Sequence, residues 1–252
     1  MTLNPMAFRH SEMNQFEETC RPILFEHDDP EFSYWGKGSS FLVANSNGFF
    51  WVTASHVLAN TGGCAQSLRI FPSDHSKVSL PFNEKFTIRT GLTDDKDYKD
   101  LFVLRVDLKE FDDSGDTPLV AQNIDQGVLP AEDLVPGDEL WVIGYPAESN
   151  YVDYEIGAIK NTRSVIRGIY RGRSIFDHCH ELKIDSSIML DSYDGLSGSP
   201  VFSRRPKNPG MAGVVYPLLV GMLLRGTASS QVAHFVSSRV LVDLINIAEN
   251  NV

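Results

Sequence analysis

Apolar residues along this chain come in short runs broken by Gly, Asn, Asp and Pro, the pattern of many short strands rather than long helices. Strands are predicted over residues 38–43, 48–53, 68–71, 101–106, 139–143, 164–170, 181–184, 201–202 and 218–224. Two segments depart from this pattern. Residues 11–20 suit a short helix, and 237–249 read as a helix with Val240, Leu241, Leu244, Ile245 and Ala248 on one face behind a Ser237 cap. Between Val106 and Asp138 the chain turns polar and acidic, with Asp112, Asp113, Ser114, Gly115 and Asp116 followed by Pro130 and Pro136. A boundary between two β units is expected at about 110–135. No internal repeat is visible, which disfavours solenoids and propellers. The expectation is an all-β core with terminal helices.

Composition narrows the partners rather than the fold. The 252 residues are 42% hydrophobic and 22% charged, enough to bury a core without metal or disulfide staples. The net charge of −11 argues against nucleic acid or an anionic membrane as the main partner, and for a basic one. Cys20, Cys64 and Cys179 are odd in number and irregularly spaced, so neither a disulfide framework nor a cysteine zinc site is expected. Pro5, Arg9, His10 and Glu12 interrupt what a signal peptide would keep apolar, and the apolar run 214–224 is too short to span a membrane. A soluble, cytoplasmic protein is the expectation.

Three local patterns carry chemistry. An apolar strand runs into Thr53-Ala54-Ser55-His56, which would hold an imidazole rigidly at a strand end. Asp100 abuts the apolar run Leu101-Phe102-Val103-Leu104; Asp94, Asp95 and Asp97 lie close enough in sequence to compete for its role. Asp194-Gly195-Leu196-Ser197-Gly198-Ser199-Pro200 sets a serine between two glycines. Acyl transfer needs that arrangement, a hydroxyl on a tight turn with small neighbours whose N–H groups converge on an oxyanion.

Taken in the order His, Asp, Ser, these segments resemble the chymotrypsin/trypsin-like serine proteases, in particular the bacterial branch with the heat-shock trypsin-like proteases and glutamyl endopeptidases. Thr53-Ala54-Ser55-His56 is similar to the family's Thr-Ala-x-His, Asp100-Leu101-Phe102-Val103-Leu104 to its Asp-strand, and Gly195-Leu196-Ser197-Gly198-Ser199-Pro200 to its Gly-x-Ser-Gly-x-Pro. Residues 38–43, 136–146 and 219–226 resemble, respectively, its Gly-x-Gly-hydrophobic entry strand, the opening strand of its second barrel and the strand that lines its substrate cleft. The resemblance implies two Greek-key β-barrels with the site in their seam. Residues 1–34 would be an N-terminal extension with a short helical segment. Residues 35–120 would form a barrel carrying His56 and Asp100, and 121–252 a barrel carrying Ser197 and a C-terminal helix.

The same resemblance implies Ser197 as nucleophile, His56 as general base and acid, and Asp100 as orienter, with the N–H groups of Gly195 and Ser197 as oxyanion hole and no metal or cofactor. Asp191, six residues before the serine, would sit at the base of the primary pocket and pair with Arg or Lys of a protein or peptide substrate. Ser192, Leu224, Arg225 and Gly226 would line the substrate cleft. Arg225 admits two readings, neutralising Asp191 or favouring an acidic substrate group. Leu196 stands where the family has Asp or Asn and Phe102 where it has a small residue; no cysteine neighbours His56 or Ser197. With no Ile-Val-Gly-Gly after a basic site, activation by a freed N-terminus is not expected, and a regulatory protein partner is. The alternative function is a protease-fold module that binds peptides without cutting them. Asp177-His178-Cys179-His180 lacks a second ligand cluster, and Arg163, Arg167, Arg171 and Arg173 lack an aromatic platform, so both read as structural or solvated surface.

Overall fold

The computed structural model describes residues 16–28, 33–36, 38–61, 66–74, 76, 78–88, 97–111, 119–156, 158–185, 190–204 and 217–250. The chain folds into two β units with one strand order. In the second unit Glu139–Gly144, Ser164–Arg173, Cys179–Ile184, Val232–Ser237, Leu218–Thr227 and Pro200–Ser203 follow one another round a closed antiparallel barrel. In the first, Cys20–Pro22, Ser39–Asn45, Gly48–Ala54, Leu101–Val106 and Phe82–Thr87 are hydrogen-bonded in that order. The ring continues through Leu24–Glu26 paired with Leu68–Arg69, and through Leu80 N–H donating to the Ile70 carbonyl at 2.7 Å. This is the Greek-key architecture that the motifs implied.

Burial explains which strands were legible. Gly48–Ala54 is buried along its whole length, being covered on both faces, and so reads as a continuous apolar run. Phe82–Thr87 alternates half-buried with exposed residues, and its polar sequence Phe-Asn-Glu-Lys-Phe-Thr carries too weak a signal to be seen. Residues 16–26 differ from their expected place ahead of the barrel. Phe16–Thr19 is a 3-10 turn, and the strands after it pair into the first unit. Gln122–Asn123 likewise pairs, in parallel, with Ser39–Asn45 of the first unit. Residues 11–15, Cys64, Asp94, Asp95 and Asp112–Asp116 lie outside the described residues.

One apolar core fills the first unit around Phe41, Phe50, Trp51 and Val103, and runs across the seam to Ile143, Phe202, Leu219, Met222 and Leu224 of the second. A separate cluster, including Leu140, Val142, Leu182, Val220 and Phe235, fills the second barrel. The C-terminal helix, Ser238–Asn250, buries Leu241 and Ile245. Its start is one residue later than the hydropathy predicted, yet Ser237 still caps it, accepting the Arg239 N–H at 3.3 Å. No helix among the described residues is long and apolar enough to cross a membrane.

Candidate active site

His56 lies in the first turn of the short helix Ser55–Thr61, directly after the buried strand Gly48–Ala54. Asp100 immediately precedes the buried strand Leu101–Val106, which pairs with Gly48–Ala54 and sets Ala54 opposite Leu101. That register brings the two side chains together. Asp100 holds the histidine at two points: its Oδ2 contacts the imidazole Nδ1, and its Oδ1 accepts the His56 backbone N–H at 2.8 Å. Ser55 N–H donates to the Asp100 carbonyl at 3.2 Å. The side chains are 33% and 23% exposed, so the imidazole is partly open to solvent while the carboxylate that holds it is mostly covered.

The serine turn is built from close backbone contacts. Gly195 and Gly198 both have φ of +86°, and a Cβ on Gly198 would lie 2.1 Å from the Ser39 carbonyl and 2.4 Å from the Thr53 hydroxyl. Only glycine fits there, which seats the turn against the strand leading to His56. Ser39 ties this turn to the second barrel. Its hydroxyl donates to the Gly195 carbonyl at 2.7 Å and accepts the Tyr145 N–H at 2.8 Å, and its own N–H donates to the Ser197 carbonyl at 3.0 Å. Among the described residues the N–H groups of Gly195 and Ser197 have no hydrogen-bond acceptor. Leu196 between them is buried and packs into the second barrel's core. The Ser197 hydroxyl donates to the Leu224 carbonyl at 2.8 Å, not to His56.

Beside Ser197 opens a cavity of about 410 Å³ lined by Asp191–Asp194, Leu223 and Arg225–Ser229. Asp191, Ser192, Arg225 and Gly226 line this cavity, Asp191 as an exposed residue rather than a buried base, and buried Leu224 contributes its carbonyl. Arg225 does not neutralise Asp191. It pairs with Asp97 of the first unit and stacks over Phe176, 4.6 Å from the ring centroid. Tyr193 forms one wall, its ring edge 2.4 Å from where a Gly226 Cβ would stand. Of the competing acids, Asp97 is thus committed to Arg225.

A trypsin-like peptidase domain model matches residues 38–210, which is more than half of the chain and includes all three chemical motifs. The chain belongs to the trypsin-like peptidase family. No curated protein sequence matches it. Similar solved structures include a thermostable serine protease from an extremophilic microorganism, at 16% identity and TM-score 0.60, covering 92% of this chain and 97% of that one. Human heparin binding protein is similar at 12% identity and TM-score 0.59, with 97% and 96% covered. An inactivated protease paralogue of the scabies mite is similar at 13% and 0.57, with 97% and 99% covered. At such identities these three speak for the peptidase fold alone.

Within this trypsin-like site, sequence reasoning missed Ser39, which is fully buried and joins the serine turn to Tyr145. Its signal was the pair Ser39-Ser40 in an otherwise apolar strand, since buried hydroxyls are there for their hydrogen bonds. His178 precedes the strand Cys179–Ile184 with φ of +55° and meets the Tyr98 ring, whereas His180 is buried against Tyr170. No group of three or more His, Cys, Asp or Glu side chains among the described residues is placed to hold a metal.

Proposed function

We propose that this trypsin-like peptidase is a serine endopeptidase that works through His56, Asp100 and Ser197. The observation that carries the reading is the two-point grip of Asp100 on His56, which fixes the imidazole with its Nδ1 bonded and its Nε2 directed to other work. A substrate bound in extended form along residues 224–226 presents a backbone N–H that takes the Leu224 carbonyl. The Ser197 hydroxyl, relieved of that acceptor, turns to His56. Nε2 accepts its proton as the oxygen attacks the scissile carbonyl, and the unbonded N–H groups of Gly195 and Ser197 receive the oxyanion. His56 then protonates the leaving amine, and water repeats the sequence on the acyl-enzyme.

Asp191, exposed and lining the cavity beside Ser197, supports a preference for Arg or Lys before the scissile bond, in keeping with the net charge of −11. Cys20 and Cys179, both buried free thiols, support a reducing, cytoplasmic location, and a bacterial origin follows the branch resemblance. Protein or peptide is the partner class; nucleic acid and membrane are not, and a regulatory protein would act on the resting serine. No cofactor enters the scheme.

The second reading, a binding module that does not cut, is favoured by the hydroxyl of Ser197 resting on Leu224. A fluorophosphonate probe with mass-spectrometric mapping separates the two. The expected adduct is on Ser197, with peptide hydrolysis reduced roughly 10⁴-fold or more in Ser197→Ala. Peptide binding with no adduct in the wild type supports the module. Asp191→Ser is expected to abolish the Arg/Lys preference while leaving labelling intact.

A further inference from the structure

Behind the serine turn, on the far side of Tyr145, two guanidinium groups from different units converge. Arg21, on the strand Cys20–Pro22, has a side chain only 4% exposed; Arg163, which precedes the strand Ser164–Arg173, has one 18% exposed. Arg163 Nε donates to the Tyr145 hydroxyl at 3.2 Å. Among the described residues only one carboxylate pairs with either arginine. Asp74 stands 3.4 Å from Arg21 and 3.7 Å from Arg163, and its own side chain is 59% exposed. The other acids in the cluster supply no charge, because burial pushes Cys20 and Tyr145 each up to about 12.

Among the described residues the cluster is therefore one negative charge short, in a place where an uncompensated cation is costly. The Arg21 Nε is buried with no hydrogen-bond partner, an orphan donor on a side chain almost wholly removed from water. Two arginines side by side match the geometry of an oxyanion, which accepts several N–H donors at once and forms shorter contacts than those Asp74 makes here. Tyr145 connects the cluster to the turn: its hydroxyl touches Arg163, and its backbone N–H is bonded to Ser39, which holds the Gly195 carbonyl.

We propose that Arg21 and Arg163 form an oxyanion-binding site, of phosphate or phosphoryl class, in which Asp74 is a resident and exchangeable carboxylate, and that exchange is transmitted through Tyr145 and Ser39 to the serine turn. The site stands apart from the proposed catalysis, so its test uses readouts that need no turnover.

Thermal unfolding and calorimetry with inorganic phosphate, against chloride at equal ionic strength, are the first measurement. A saturable, phosphate-dependent rise in Tm is expected for the wild type and a larger one for Asp74→Asn, where the competing carboxylate is gone. Arg163→Gln is expected to lose the dependence, and Arg163→Lys to keep a weakened form. Arg163 is the residue to vary because it is less deeply packed than Arg21. Phosphoserine in place of phosphate distinguishes a phosphoryl group from the free ion, and binding by either supports the site. A rise that persists in Arg163→Gln, or none in Asp74→Asn, overturns it. Hydrogen exchange over residues 193–202 is expected to slow with saturating phosphate; binding without that change overturns the link to the turn.

Discussion

Asp100 acts through two oxygens. One is spent on the imidazole and the other on the backbone that carries it, so the carboxylate fixes both the tautomer and the position of His56. Asp100→Asn preserves shape but offers an amide N–H where the imidazole N–H needs an acceptor, favouring the wrong tautomer. On the proposed mechanism the expected result is a fall in kcat of about 10⁴-fold, with peptide affinity unchanged when measured in a Ser197→Ala background. An equal loss of affinity would mean the residue shapes the cleft instead. Ser39 is a positioning residue of a different kind, satisfying the Tyr145 N–H and the Gly195 carbonyl at once in a fully buried place. Ser39→Ala leaves both without that partner, a cost of about 1–3 kcal/mol for each group left unsatisfied. Lower Tm together with slower fluorophosphonate labelling is expected; lower Tm with labelling unchanged would confine Ser39 to the fold. Leu196 anchors the turn by its own burial, which contributes about 1.5–3 kcal/mol and needs no ion-pair partner.

At the scale of elements, the C-terminal helix joins the two units. It leaves the second barrel at Ser238 and ends beside the first, where Glu249 accepts from Asn45 at 3.0 Å, from Asn47 at 3.1 Å and from Arg105 at 3.3 Å. The Glu249 side chain is 12% exposed, so these bonds are partly shielded from solvent. Glu249→Ala is expected to cost about 1–2 kcal/mol in urea unfolding, mainly by loosening the helix end, with Asn45→Ala non-additive on top of it. Additive effects would show that the two residues do not share a bond. The helix was legible because its buried positions, Leu241 and Ile245, recur at helical spacing. Val232–Ser237 before it was not, because His234 interrupts the apolar run and half its residues face the barrel's outside. The two strands over 20–26 were missed for another reason. Pro22 and the flanking Arg21 and Glu26 look like loop, and only pairing to Ser39–Asn45 and Leu68–Arg69 makes them strand. The motifs around His56 and Asp100 stood out because each adjoins an apolar strand, and that around Ser197 because glycines flank it in the turn before Pro200–Ser203. The Arg225–Asp97 pair depends on long-range docking that spacing does not encode.

For the whole molecule, a loss of stability in acid is expected from a buried polar group beneath the C-terminal helix. The Tyr170 hydroxyl and His180 Nδ1 are 2.7 Å apart; Glu132 Oε1 lies 3.9 Å from His180 Nε2, and Ser237 donates to Glu132 Oε2 at 2.7 Å. Burial, with Arg173 and His178 acting in the same sense and Glu132 against them, holds the His180 pKa below its ordinary value. Burial works to raise Glu132, but the Ser237 hydroxyl, its own backbone N–H, His180 and Arg239 outweigh it and hold it below the usual carboxylate range. Both groups are thus more easily protonated in the unfolded chain than in the folded one. Stability from His180 is complete above the ordinary histidine pKa of about 6.5 and declines as pH falls below it; that from Glu132 begins to go near the ordinary carboxylate pKa of about 4.3. Each group adds a slope of at most about 1.4 kcal/mol per pH unit. Urea unfolding between pH 7.5 and 5 is therefore expected to show stability falling with acid. In His180→Gln, which keeps a polar group but does not titrate, the fall across the histidine range is expected to flatten, even though the variant starts lower. An unchanged slope in that variant would assign the acid sensitivity to other groups.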